Sequence, residues 1–200
     1  MLTESERERY SRQILLFGED GQERLKSSKV FIAGAGGLGC PVAAYLAAAG
    51  VGNLIIADCD SVDRTNLNRQ ILHHEQDIGR PKVFSAGEKL RSMNPDILVE
   101  LHAVTISDTN ASTLVSGCDL VVDALDTFTD RYAINRAAIK NRIPYIHGAV
   151  SGFDGHMATI IPGETACLEC MVPEAPPPSV FPVVGTTPGI IGVLQANEVI

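Results

Sequence analysis

From Lys29 to Ala149 short aliphatic and β-branched runs alternate with longer stretches in which apolar residues return every three or four positions. Apolar runs of four to six residues suit strands buried on both faces, and their alternation with helical periods predicts a parallel sheet with crossover helices. The runs place strands at Val30 to Ala33, Asn53 to Ala57, Ile97 to Leu101, Leu120 to Ala124, Pro144 to Ala149 and Met157 to Ile161. Val42, Tyr45, Leu46 and Ala49 repeat at i, i+3, i+4 and i+7, and Gly50 follows as a helix C′ residue. A second helix is expected from Pro81, taken as its N1 residue, to before Asn94-Pro95, and a third from about Thr129 to Lys140. The fold class is therefore α/β, a Rossmann-like, mostly parallel sheet with helices on both faces.

Outside this stretch the pattern predicts an N-terminal helix over Thr3 to Leu16. After Pro162 the texture changes: six of the eleven prolines fall between Pro173 and Pro188, a segment expected to be an extended, mobile Pro-rich loop. An apolar helical pattern then runs from Ile190 through Leu194 to Val199 and meets the last residue with no stop signal, so the 200 residues are expected to be one domain of a longer protein.

Composition narrows the function classes. A hydrophobic share of 45% is enough for one core, and 20% charged residues is ordinary for a globular chain. The net charge is −8 with no run of Lys or Arg, which argues against a nucleic-acid surface or an anionic membrane as partner. No apolar leader or membrane-length run is present, so a cytoplasmic protein is expected. Five cysteines, an odd number scattered through the chain, do not suggest a disulfide framework.

The chemistry begins at Gly34-Ala35-Gly36-Gly37-Leu38-Gly39, between the first strand and the first helix. Glycines there allow positive φ and let Gly34, Gly36, Gly37 and Gly39 bring backbone N–H groups and a helix N-terminus to a phosphate. Asp58, nineteen residues after Gly39 at the end of the second strand, is placed to accept from a ribose hydroxyl. The pair points to a nucleotide without choosing between NAD and ATP.

A long polar stretch follows, with Asp60, Asn66, Arg69 and Gln70, and then Lys82 in the first turn of a helix. A cation there opposes the helix dipole unless an anion is near, so Lys82 either meets a phosphate or extends into solvent. Asp126 stands just past the carboxyl end of the fourth strand, where ligands of open α/β sheets bind. Beside a triphosphate it reads as a Mg²⁺ ligand; as a helix N-cap it would compete with Thr127, Thr129 and Asp130.

Together, Arg9-Tyr10-Ser11-Arg12-Gln13, the glycine turn, Asp58-Cys59-Asp60, Asn66-Leu67-Asn68-Arg69-Gln70, Gly79-Arg80-Pro81-Lys82, Asp126 and the Cys167-Leu168-Glu169-Cys170 pair resemble the ThiF/MoeB family, relatives of the ubiquitin-activating enzyme. The resemblance spans essentially the whole chain. It implies ATP-dependent adenylation of the C-terminal Gly-Gly carboxylate of a small ubiquitin-like sulfur carrier, of the molybdopterin or thiamine type. Carried over by position, it implies that Gly37 and neighbouring amides meet the phosphates, that Asp58 binds ribose with Asp60 and Gln70 nearby, that Asn66, Arg69 and Lys82 contact phosphates, and that Asp126 holds Mg²⁺. It also implies a homodimer in which Arg12 enters the partner subunit's site. Such chemistry brings one anion onto several and needs cations and alignment rather than a protein base, so His73, His74, His102, His147 and His156 are expected to be structural or at the surface.

Cys167 and Cys170 have the spacing of half a structural zinc site; the resemblance implies that a second pair lies after Ile200 and that Zn²⁺ belongs to the longer protein. Two departures stand out. Thr127 replaces the Asn that often follows the metal-binding Asp. Phe181 occupies the loop position where some members carry a cysteine, which predicts adenylation with no covalent thiol step on this loop and a separate sulfur donor. Two other readings, an NAD-dependent oxidoreductase and a silent partner-binding scaffold, rest on the glycine turn and Asp58 or on the fold alone.

Overall fold

The computed structural model describes residues 1–177 and 182–200. Its centre is a six-stranded sheet in the order β3-β2-β1-β4-β5-β6, formed by β1 (Lys29–Ala33), β2 (Asn53–Ala57), β3 (Leu98–His102), β4 (Leu120–Asp123), β5 (Tyr145–Ser151) and β6 (Asp154–Ile160). The first five strands are parallel, and β6 returns antiparallel to β5 through the turn at Gly152-Phe153. The helices are α1 (Glu4–Arg9), α2 (Ser11–Ser27), α3 (Gly39–Ala49), α4 (Lys82–Met93), α5 (Ala111–Leu114), α6 (Phe128–Asn141), α7 (Leu168–Met171) and α8 (Thr186–Val199).

The apolar runs form strands because each is buried on both sides. Val30, Ile32, Leu54, Ile56, Val122 and Ile146 pack on one face with residues of α3, α4 and α8. Phe31, Ala33, Ile55, Val121 and Tyr145 pack on the other with α5 and α6. Burying Leu, Ile or Phe contributes about 1.5–3 kcal/mol each, which makes this double layer the main source of cohesion.

Four boundaries depart from the sequence expectation. The N-terminal helix is two helices: Thr3 caps α1 in a capping box with Glu6, and α2 runs past Leu16 to Ser27 with a break at Gly18, whose φ is 73°. Pro81 is the N-cap of α4 rather than its first residue. Pro188 belongs to the first turn of α8, where a missing N–H costs nothing, so the Pro-rich connection stops before Thr186. The last strand begins at Asp154 because pairing with β5 recruits polar residues that carry no apolar signal. The expectation placed on Pro178 and Phe181 lies outside the described residues. No described helix is long and apolar enough to cross a membrane.

Candidate active site

The strand order reverses between β1 and β4, and the crevice above their carboxyl ends is the usual ligand position of such sheets. A cavity of about 530 Å³ opens there. The turn after β1 forms one wall: Gly34, with φ 101°, donates its N–H to Ala57 O at 2.8 Å, and Ala35 N–H donates to Asp58 Oδ2 at 2.7 Å. The next two N–H groups, of Gly36 and Gly37, have no acceptor among the described residues, and both glycines line the cavity.

The four glycines divide by role. A Cβ on Gly39 would sit 2.0 Å from Gly34 O, and one on Gly34 would sit 2.6 Å from Ala124 O. These two let α3 and the β4 end close on the turn, and Gly39 is not part of the cavity wall. Gly36 would meet nothing nearer than Gln70 Nε2 at 3.7 Å, so its missing side chain leaves room on the cavity side.

Asp58, Asp60, Arg69, Gln70, Lys82 and Asp126 all line the cavity. Asp58 accepts from Ala35 and Asp60 N–H groups; burial raises its carboxyl above the ordinary value despite the nearby Lys82. Lys82 is not in solvent. Its buried side chain reaches Asp60 Oδ2 at 2.8 Å, so the anion that offsets its position at the helix start is Asp60 in this structure. Arg69 is held by Thr65 O at 2.9 Å and Asn68 Oδ1 at 3.0 Å and pairs with no acid among the described residues. Gln70 is buried with its Oε1 lacking a donor.

Asp126 is exposed toward the cavity and takes part in no ion pair among the described residues. Thr127, the residue that departs from the family pattern, caps α6 by accepting from Asp130 N, which leaves the Asp126 carboxylate free of that duty. One hard oxygen ligand beside a polyphosphate suits Mg²⁺, which takes its remaining ligands from phosphate and water.

Two expected residues lie elsewhere. Asn66 is outside the cavity wall, its carboxamide oxygen accepting from Asp63 N at 3.0 Å to close a short 3-10 turn. Arg12 is exposed on α2, outside its own chain's cavity. Cys167 and Cys170 have Sγ atoms 3.3 Å apart; burial opposes ionisation of Cys167, but hydrogen bonds from Cys170 and nearby groups hold its thiol below the ordinary value. The described residues offer two thiols there and no third donor, so they do not make a closed tetrahedral zinc centre.

Arg131 was not singled out by sequence and belongs in the site. It is buried in the cavity wall, lies 5.5 Å from the Phe128 ring centroid, donates Nη2 to Leu125 O and stands 3.9 Å from Asp123 Oδ2, with Nε and Nη1 unpaired. A signal existed: Arg131, Ile134, Asn135 and Ala138 share the buried stripe of α6, where a guanidinium is costly unless it is paired or used. Beneath it Asp123 accepts from Tyr145 Oη, His147 Nδ1 and Leu125 N. Burial alone would raise the Asp123 carboxyl, but Arg131, His147 and Tyr145 hold it below the usual range.

Fold and cavity define a doubly wound nucleotide-binding domain whose site sits at the switch point of the sheet. The chain belongs to the ThiF family, whose model matches residues 10–200. The SAMP-activating enzyme E1 of Haloferax volcanii is 44% identical over 199 residues, covering 96% of this chain and 73% of that protein. The sulfur carrier protein adenylyltransferase of Thermus thermophilus is 41% identical over 209 residues, covering 98% and 77%. Among solved structures, E. coli MccB with ATP superposes with a TM-score of 0.85 at 28% identity, covering 96% of this chain and 62% of the MccB chain. The chain thus spans under two thirds of that neighbour and about three quarters of the two named relatives.

Proposed function

We propose that this domain binds ATP and adenylates the C-terminal carboxylate of a small ubiquitin-like sulfur carrier. The observation that carries the reading is the convergence of Arg69, Lys82 and Asp126 on a cavity whose floor is a glycine turn with two free N–H groups. The names of the relatives, adenylyltransferases and activating enzymes, agree with it. An oxidoreductase would need neither the cations nor Asp126.

In the reaction a carboxylate oxygen of the carrier attacks the α-phosphorus; the new O–P bond forms as the bond to the bridging α–β oxygen breaks, and pyrophosphate leaves with that electron pair. The carboxylate is ionised at neutral pH, so no protein group has to remove a proton. The Gly36 and Gly37 amides, Arg69 and Lys82 would stabilise charge on the phosphates, with Lys82 exchanging its contact with Asp60 for one with phosphate. Asp58 would orient the ribose, and Asp126 would hold Mg²⁺, which when bound neutralises phosphate charge. Asn66 would reach the phosphates after giving up its turn contact. Arg12 would act across a homodimer, which its position outside its own cavity allows. The carrier would end in Gly-Gly, and sulfur would come from a separate protein, since the segment from Pro173 to Pro188 has no cysteine.

Incubation of the protein with ATP, Mg²⁺ and Gly-Gly carriers, followed by intact mass, tests this. An AMP adduct on the carrier is expected; binding of NAD in preference to ATP, or a carrier complex with no turnover, would replace the reading.

A further inference from the structure

One buried histidine lies directly behind the glycine turn. His73 is 4% exposed, and its Nε2 is 2.9 Å from Ala35 O, the carbonyl in the middle of the turn. A carbonyl accepts only, so Nε2 carries the proton; the neutral ring then turns an accepting Nδ1 toward Ser85 Oγ, 2.9 Å away. Ser85 in turn accepts from Lys89 Nζ at 3.1 Å, and its hydroxyl proton is shared between the imidazole and the nearby Asp77 carboxylate. Burial, aided by Lys82 and Lys89, lowers the His73 pKa against the opposing pull of Ala35 O and Asp77. Cys40, its thiol pushed up to about 12 by burial, adds a weak donor to the same carbonyl at 3.4 Å.

Ala35 C=O and Gly36 N–H belong to one peptide group. No cis bond occurs among the described residues, so the two vectors are antiparallel and fixing the carbonyl fixes the N–H. The carbonyl is held toward His73 on the protein side, and Gly36 lines the cavity on the other side with its N–H unpaired.

We infer that His73 is a positioning residue for nucleotide binding: by donating to Ala35 O it locks the Ala35–Gly36 peptide with its N–H aimed at the bound phosphates. The role rests on the ATP reading proposed above. Ser85 sets the tautomer, and α4, which carries both Ser85 and Lys82, ties the turn to the phosphate-facing lysine. Without this lock a flip of the peptide would present a carbonyl oxygen to the phosphates, replacing attraction by repulsion.

The test compares two substitutions of equal polarity that reach different neighbours. In His73→Gln the amide nitrogen stands close to the place of Nε2 and can donate to Ala35 O; in His73→Asn it stands close to Nδ1 and reaches Ser85 instead. With both variants shown to be folded by thermal melting, His73→Asn should bind ATP roughly tenfold more weakly, the factor expected for one hydrogen bond to a charged group. His73→Gln should stay close to wild type, and adenosine, which has no phosphate, should bind all three alike. Equal ATP binding by His73→Asn and wild type, equal losses in both variants, or a parallel loss for adenosine would overturn the role.

A measurement on the wild-type protein covers the case in which neither variant folds. Imidazole ¹⁵N shifts should show His73 as the Nε2–H tautomer with and without ATP, and the Nδ1–H form would overturn the inference. Wild-type protein that shows this tautomer but neither binds nor turns over ATP would instead remove the functional reading on which the role depends.

Discussion

The two walls of the cavity are built differently. On the β1–β2–α4 side the groups behind the glycine turn are partnered within the protein, Asp58 by two N–H groups, Lys82 by Asp60 and Ala35 O by His73, while the Gly36 and Gly37 N–H groups face the cavity unpaired. On the β4–α6 side Asp126 is bare, and the buried Arg131, ion-paired with Asp123 at 3.9 Å, keeps Nε and Nη1 without a hydrogen-bond acceptor. The glycine turn of the first wall is preorganised to receive a phosphate, and Lys82 would exchange Asp60 for it. The second is left incomplete, and a metal ion or an anionic ligand would complete it.

That contrast is breakable. Asp126→Asn should lower carrier adenylation by roughly a thousandfold, about 4 kcal/mol in transition-state stabilisation, while leaving the melting temperature unchanged or slightly higher. Full activity in this variant would remove the metal-holding role proposed for Asp126. Asp123→Asn, one layer below, should do the reverse and cost about 3 kcal/mol of stability, since Tyr145, His147 and Arg131 lose a charged buried partner. A variant as stable as wild type would show that this buried cluster is not held together by charge.

Lys82→Met removes a buried cation whose partner Asp60 is exposed, so folding should suffer little, while apparent ATP affinity falls roughly thirtyfold, about 2 kcal/mol. Isothermal titration with ATP and with adenosine separates the phosphate share of that loss.

The smallest effect serves as a control far from the cavity. Glu6 is buried beneath Lys26, with Oε2 2.7 Å from Nζ. Burial opposes its ionisation, but the Lys26 and Thr3 hydrogen bonds outweigh it and lower its pKa from 4.5 to about 2. A depressed folded pKa stabilises above the unfolded value and is lost as pH falls through the folded one. Glu6→Gln should therefore cost about 1 kcal/mol at pH 7, with the difference from wild type fading between pH 4.5 and pH 2 and adenylation untouched. A pH-independent difference in melting would point to packing rather than charge.

Strand positions were readable because a sheet covered on both faces demands unbroken apolar runs, and Val30 to Ala33 or Leu120 to Val122 can satisfy little else. The glycine turn and the carboxylates at the strand ends were readable because their spacing is set by one strand and one turn. His73 was not, and Arg131 only through its place on the apolar stripe of α6. His73 acts at Ala35, 38 residues away, and local periodicity does not report such a neighbour. Asn66 shows the opposite limit: the family resemblance implied a phosphate contact, yet in this structure its carboxamide closes a turn.

Sequence by itself determined the parallel sheet and the strand ends at which the glycine turn and the carboxylates proposed to hold a nucleotide gather, because those follow from periodicity and from the dihedral freedom of glycine. Tertiary structure decided which charges are spent on one another and which stay free. Pairing depends on distances between β1, β2, α4 and α6 that exist only once the two apolar layers have closed.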